Sequence, residues 1–148
     1  MRRKGTTMAT ARRATGSTKT PGQLFALVFG AVYVLVGILG FIDPLVGDQD
    51  KLLGIFGITP LHNIAHLAIG VLLLVGSRTP DTARMVNLVV GVVYLLLGIL
   101  GLFGVLIEDG QAIDLNNNAA DTVLHLATAA LALYFGTVGS GVRHSSTA

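Results

Sequence analysis

The residues of this chain best suited to chemistry are three histidines and one aspartate. His62 and His66 are four apart, and so are Asp121 and His125, so on helices each pair shares one face. Neutral imidazole is the commonest metal ligand. Together His62, His66, Asp121 and His125 would supply a four-ligand, zinc-like set for a divalent metal. His66 and His125 on facing helices would also suit haem iron, ligated from both sides. Two other chemistries compete with metal binding. Histidine titrates near neutral pH, and ionisable groups inside a membrane mark proton or ion paths by default; that would make a small proton-coupled transporter, acting as an oligomer. Alternatively, His66 and His125 hydrogen-bond across a helix seam while Asp121 caps its helix, and the cluster simply locks the structure. Asn63 and Thr122 are the polar neighbours of these groups. Tyr33 and Tyr94 lie in the middle of apolar runs, where each buried hydroxyl needs one partner.

The elements that position these residues are dictated by an apolar composition. Of 148 residues, 52% are hydrophobic and only 12% charged, and mean hydropathy is +0.72. Soluble domains carry about 25% charged residues, so lipid is the expected solvent. There is no cysteine, which excludes disulfides, thiol nucleophiles and cysteine-ligated metals.

Residues 1–21 hold Arg2, Arg3, Lys4, Arg12, Arg13 and Lys19 with no acid, and are expected to form a disordered cytoplasmic tail. Residues 22–42 are uncharged and long enough to span a bilayer. The run is longer than a signal peptide's apolar region and ends in Phe41-Ile42-Asp43-Pro44, so it is expected to stay as a span. A loop over 43–59 follows, with Asp43, Asp48, Asp50 and Lys51, and an apolar second half suited to the interface. Thr59-Pro60 reads as a helix start, with Thr as N-cap and Pro at the first helical position. The second span covers about 60–76 and is the weakest by hydropathy. Residues 77–84 read as a tight polar turn. The third span covers 85–107. An acidic loop with Glu108, Asp109 and Asp114 runs into Asn118, a good N-cap with Asp121 at the third helical position. The fourth span covers 119–138. Residues 139–148, with Arg143 and His144, form a second tail in which His144 is solvated.

The charges orient the spans. Lysine and arginine accumulate on the cytoplasmic side of a membrane. With both termini inside, Arg78, Arg84 and Arg143 join the basic N-terminal residues inside, and only Lys51 lies outside. The acids Asp43, Asp48, Asp50, Glu108, Asp109, Asp114 and Asp121 then lie at the outer face. This arrangement accounts for the basic tail without nucleic acid. The expected partners are the lipid bilayer and, beyond it, a second copy or other membrane proteins.

The chain also repeats itself. Gly30-x-x-Tyr33-x-x-x-Gly37-Ile38-Leu39-Gly40 returns as Gly91-x-x-Tyr94-x-x-x-Gly98-Ile99-Leu100-Gly101, at an offset of 61. Leu61-His62-x-x-x-His66-Leu67-Ala68 returns as Ala120-Asp121-x-x-x-His125-Leu126-Ala127, at an offset of 59. Two helices per unit give parallel repeats about an axis along the membrane normal. The glycines, on one face, are expected to let helices pack closely. The expected fold is therefore an all-α membrane protein, a four-transmembrane-helix bundle built from a tandem two-helix repeat. No phosphate-binding glycine loop, Gly-x-Ser-x-Gly or His-Glu-x-x-His is found in the sequence, so a non-enzymatic inner-membrane protein is the leading expectation.

Four segments carry a family resemblance: Thr20-Pro-Gly-Gln-Leu-Phe-Ala-Leu-Val-Phe-Gly, Leu52-Leu-Gly-Ile-Phe-Gly-Ile, Leu61-His-Asn-Ile-Ala-His-Leu and Asn117-Asn-Ala-Ala-Asp-Thr-Val-Leu-His-Leu. Together they resemble the small bacterial membrane proteins of domain of unknown function 4383, over about residues 18–138. The resemblance implies four spans and the His-Asn-x-x-His and Asp-x-x-x-His elements, and no activity.

Overall fold

A computed structural model of the chain describes residues 18–47, 50–105 and 115–138. The expected tails, apart from residues 18–21, and the expected charges Asp48, Glu108, Asp109, Asp114 and Arg143 lie outside the described residues, as does His144.

Four helices dominate: α1 (Pro21–Leu39), α2 (Pro60–Gly76), α3 (Pro80–Leu102) and α4 (Ala119–Gly136). Each opens on a side-chain cap. Thr20 and Gln23 form a reciprocal capping box on α1, Thr59 accepts the backbone N–H of His62 on α2, Thr79 and Thr82 box α3, and Asn118 and Asp121 box α4. The first three follow their threonine with proline, whose fixed φ suits the first helical position. That shared signal corrects the third expected span: α3 begins at Pro80, not at 85, because Thr79-Pro80 nucleates it inside the residues read as a turn. Arg84 therefore sits in a helix rather than a loop. α1 stops at Leu39, short of 42, and Asp43–Leu45 form a single 3-10 turn.

Three of the helices, α1, α3 and α4, are long and apolar enough to cross a membrane; α2 is apolar but shorter, at 17 residues. At about 1.5 Å per residue, α2 is about 26 Å long, close to the roughly 30 Å hydrocarbon core. Large apolar side chains such as Leu24, Val28, Val71, Leu96 and Val123 point outward along all four helices, a surface that suits lipid rather than water.

The connection from α1 to α2 is not the plain loop expected from the sequence. It folds into a small antiparallel sheet of β1 (Val46–Gly47), β2 (Lys51–Leu52) and β3 (Phe56–Gly57), in that order. Leu52 pairs with Val46 on one side and Phe56 on the other. Leu53 and Gly54 carry φ of 55° and 72° and turn the chain between β2 and β3, closed by Ile55 N–H to Leu52 O at 3.1 Å. Positive φ at both central positions is the hairpin turn matched to strand twist. Leu52 is buried, while Leu53 and Ile55 are exposed.

α1 packs chiefly on α2 and α3 chiefly on α4. A Cβ on Gly30 would lie 2.9 Å from the Leu74 backbone nitrogen; one on Gly91 would lie 3.0 Å from that of Leu133. Gly37 faces Leu67 and Gly98 faces Leu126; Gly40 faces the Asn63 side chain and Gly101 that of Thr122. Between the pairs sits a core of Phe25, Ala26, Tyr33, Leu73, Val90, Tyr94, Ala129 and Ala132. At the end where α1 starts, Gln23 donates to the carbonyls of Ser77 (3.0 Å) and Arg78 (3.2 Å), and buried Asn87 donates to Gly22 O at 3.0 Å.

These contacts make the glycine seams testable. Gly30→Val and Gly91→Val put a branched side chain into a neighbouring backbone. Each is expected to lower stability by at least the roughly 1–3 kcal/mol of overpacking, read from thermal unfolding in detergent. Gly47→Ala, with nothing within 4 Å of its Cβ, is expected to stay within about 0.5 kcal/mol.

Candidate functional site

The first two turns of α2 and of α4 bring the candidate residues together. Thr59 and Asn118 fix where each helix starts, so His62 and His66 project from one face of α2, and Asp121 and His125 from the matching face of α4. All are buried: His62 is 3% exposed, His66 8%, His125 3% and Asp121 4%. Their rings form a cluster with the two tyrosines. Tyr33 lies 5.3 Å from His66 and Tyr94 lies 5.1 Å from His125, centroid to centroid, and the tyrosines are 5.4 Å apart. His62 adds a fifth ring, 4.5 Å from His66 and 6.1 Å from His125. The Tyr33 hydroxyl donates to Thr128 Oγ1 at 3.1 Å and also shares a hydrogen bond with the Tyr94 hydroxyl.

Among the described residues, His62, His66 and His125 form one potential metal set: a ring nitrogen from each lies within 4.8 Å of the other two. A metal with bonds of about 2.0–2.1 Å holds its nitrogens roughly 3.4 Å apart, so closure needs at most about 1.5 Å per pair. Hydrogen bonding prepares this set unevenly. Nδ1 of His62 donates to Leu115 O at 2.9 Å, and the same ring also hydrogen-bonds the Gly57 backbone. A backbone carbonyl on the far nitrogen is the usual orienter of a ligating histidine. Nδ1 of His66 and Nδ1 of His125 are buried and have no hydrogen-bond partner. The expected hydrogen bond between His66 and His125 would have used such atoms; the structure leaves both unpaired, at a cost of about 1–3 kcal/mol for each such group.

Asp121, expected as a fourth ligand, stands outside the set. Its Oδ2 accepts the N–H of Gly57 at 2.9 Å and of Asn118 at 3.0 Å. The carboxylate thus joins the small sheet to the start of α4. Asn63 Nδ2 donates to Gly40 O at 2.8 Å. On the matching side Thr122 Oγ1 accepts from Asn117 Nδ2 at 2.8 Å and donates to Asn118 O at 3.0 Å.

The segment before α4 contributes more than its sequence announces. Asn118, read only as a cap, also donates to Ile55 O at 2.7 Å, and Asn116 donates to Asp50 O at 3.2 Å. Gly57 passes so close to Asn116 O that no Cβ fits between them. Residues 115–118 and the small sheet thereby close over the ring cluster. The run of three asparagines was the one signal available, since asparagine is the residue that satisfies exposed backbone in irregular segments.

A cavity of about 130 Å³ touches the cluster, lined by Val36, Leu39, Leu52, Phe56, Gly57, His66, Asp121 and Leu124 among others. Drug-sized ligands occupy roughly 300–1,000 Å³, so the space at His66 fits an ion or a very small molecule and not a porphyrin. His62, His66 and His125 are the described residues that could hold a metal ion.

Removing the Asp121 brace isolates its contribution. Asp121→Ala leaves two backbone N–H groups without their acceptor. At about 1.5–3 kcal/mol per hydrogen bond to a charged group, the variant is expected to unfold at clearly lower temperature than Asp121→Asn, which keeps an acceptor. Equal unfolding temperatures for the two would contradict this role.

No curated protein and no solved structure matches the chain. Residues 23–138 match the family described as Domain of unknown function (DUF4383), which takes in the helices, the small sheet and every residue of the ring cluster, and the chain belongs to that family.

Proposed function

We propose that this protein is a multi-pass, non-enzymatic protein of the cell (inner) membrane whose His62, His66 and His125 bind one transition-metal ion near the outer face. The observation that carries the reading is the triad: three imidazole nitrogens within 4.8 Å, two of the rings holding an unpaired buried Nδ1. A structural lock needs no unpaired imidazoles. Asn63, Tyr33, Gln23 and Asn87 already supply hydrogen bonds between helices without them.

In this reading α2 is the fourth span, its short length made up by the sheet that covers its first turn. The two helix pairs form a tandem repeat about an axis along the membrane normal. The repeat is supported by the matched glycine contacts: Leu67 and Leu126, Leu74 and Leu133, and Asn63 and Thr122 all differ by 59, against glycines that differ by 61. The orientation is supported by Arg78 and Arg84 at one end and Asp43 and Asp50 at the other. Both termini then lie in the cytoplasm.

Two experiments test the proposal. Purified in detergent and titrated with first-row metal ions, the protein is expected to bind one equivalent. At a hundredfold excess over Kd, binding would add about 2.7 kcal/mol of stability. His62→Ala, His66→Ala and His125→Ala are each expected to weaken binding by more than the roughly 10–100-fold that loss of an outer-shell partner costs. A protein that binds no ion, with an unfolding temperature that no ion moves, overturns the reading. The absence of native cysteine makes topology direct to measure. An impermeant maleimide on intact cells is expected to label Gly47→Cys, and Arg78→Cys only after permeabilisation; the reverse pattern inverts the orientation.

A further inference from the structure

Resting on that reading, we infer that the ion the triad takes is monovalent and soft, Cu(I), with Ag(I) as its redox-inert equivalent, rather than a divalent ion. Charge selects the ion. All three ligands are neutral imidazoles, so the full charge of the ion remains in the cluster. The chain has no cysteine to supply thiolate, and Asp121 is outside the ligand set. The cost of taking an ion out of water is severe in a low-dielectric interior and grows with the square of its charge. His62, His66 and His125 are all at least nine-tenths buried, so that cost is not relieved by solvent.

Among the described residues, one compensating charge stands nearby. Asp121 lies one helical turn before His125 and is itself buried. Its Oδ2 accepts two backbone N–H groups, and hydrogen bonds of that kind favour the ionised form. One carboxylate offsets one unit of charge. A monovalent ion with Asp121 leaves the site neutral; a divalent ion leaves one positive charge uncompensated within the bundle.

Coordination number points the same way. Zinc in structural sites takes four ligands, and in catalytic sites three plus a water or substrate. Among the described residues the nearby carboxylate, Asp121, already accepts from Gly57 and Asn118 through Oδ2, and the cavity beside His66 is lined almost entirely by carbon, a poor place to hold a polarised water. A filled-shell monovalent ion accepts three nitrogen ligands in a plane and needs no fourth. Imidazole suits zinc and copper alike, so charge and coordination number, not ligand type, make the choice.

The test uses the full chain in detergent or nanodiscs, without oxygen. Cu(I), Ag(I), Zn(II) and Co(II) are each titrated against a chromogenic competitor. The expected result is one Cu(I) or Ag(I) per chain, retained against a hundredfold excess of Zn(II). X-ray absorption on the copper form of the unaltered protein is expected to show about three nitrogen neighbours and no sulfur, which needs no variant to fold. His62→Glu, which puts an anionic ligand in place of a neutral one, is expected to reduce the preference for Cu(I) over Zn(II) at least tenfold. Binding of Zn(II) or Co(II) at the triad in preference to Cu(I), or an unchanged preference in His62→Glu, overturns the charge argument and leaves the metal site standing. Failure of every ion to bind overturns both.

Discussion

Everything at the centre of this molecule depends on how closely two helices can approach within each pair. In lipid there is little hydrophobic force to press helices together, so their separation is set by what lies between the backbones. Gly30 and Gly37 put nothing between α1 and α2, and Gly91 and Gly98 put nothing between α3 and α4. With the seams closed, the side chains next along the same faces are driven inward. Tyr33, one turn from Gly30, meets His66; Tyr94, one turn from Gly91, meets His125. The ring cluster is thus a product of glycine spacing as much as of the rings themselves.

The two halves are alike in packing and unlike in chemistry, and the difference falls on one pair of positions. Where α2 has His62, α4 has Asp121. Had both been histidine, four imidazoles would crowd one level of the bundle with no counter-charge. Had both been aspartate, two carboxylates would face each other in a buried setting, where like charges cannot both ionise. The mixed pair gives three imidazoles and one carboxylate, all buried. Each member also ties down a different segment. His62 reaches across to Leu115, and Asp121 reaches back to Gly57. These two bonds cross, so the segment before α4 and the small sheet after α1 are each held by the opposite half.

Much of the framework was legible because it is written locally. A threonine followed by proline starts a helix through forces acting over one turn; Thr59 and Asn118 announced their helices in the sequence, while Thr20 falls within the stretch that reads as a tail. Thr79 carried the same signal, hidden by the arginines and aspartate around it, which read as a turn by composition. The His62, His66 and His125 grouping was legible because four-residue spacing fixes a helix face. The role of Asp121 was only half legible: its place in the capping box is local, but its bond to Gly57 spans 64 positions. The small sheet escaped notice because two-residue strands have no periodicity to detect. Gln23 and Asn87 escaped because a side chain that donates to a carbonyl on another helix leaves no pattern in its own neighbourhood.

The unpaired nitrogens of His66 and His125 make sense only against this background. A chain that satisfies its helix starts four times over, and sends Gln23, Asn63, Asn87, Asn116 and Asn118 to distant carbonyls, has the means to satisfy two imidazoles as well. Serine or threonine at either facing position would have done so. Instead the rings stand against Tyr33 and Tyr94 edges and faces, which fix their orientation and offer them nothing to bond. Buried polar atoms without partners are rare in folded proteins and each asks for a reason. Here Tyr33 and Tyr94 pack against the His66 and His125 rings while one nitrogen from each of three rings lies within 4.8 Å of the others, and rigid packing behind converging polar atoms is what a preorganised site needs.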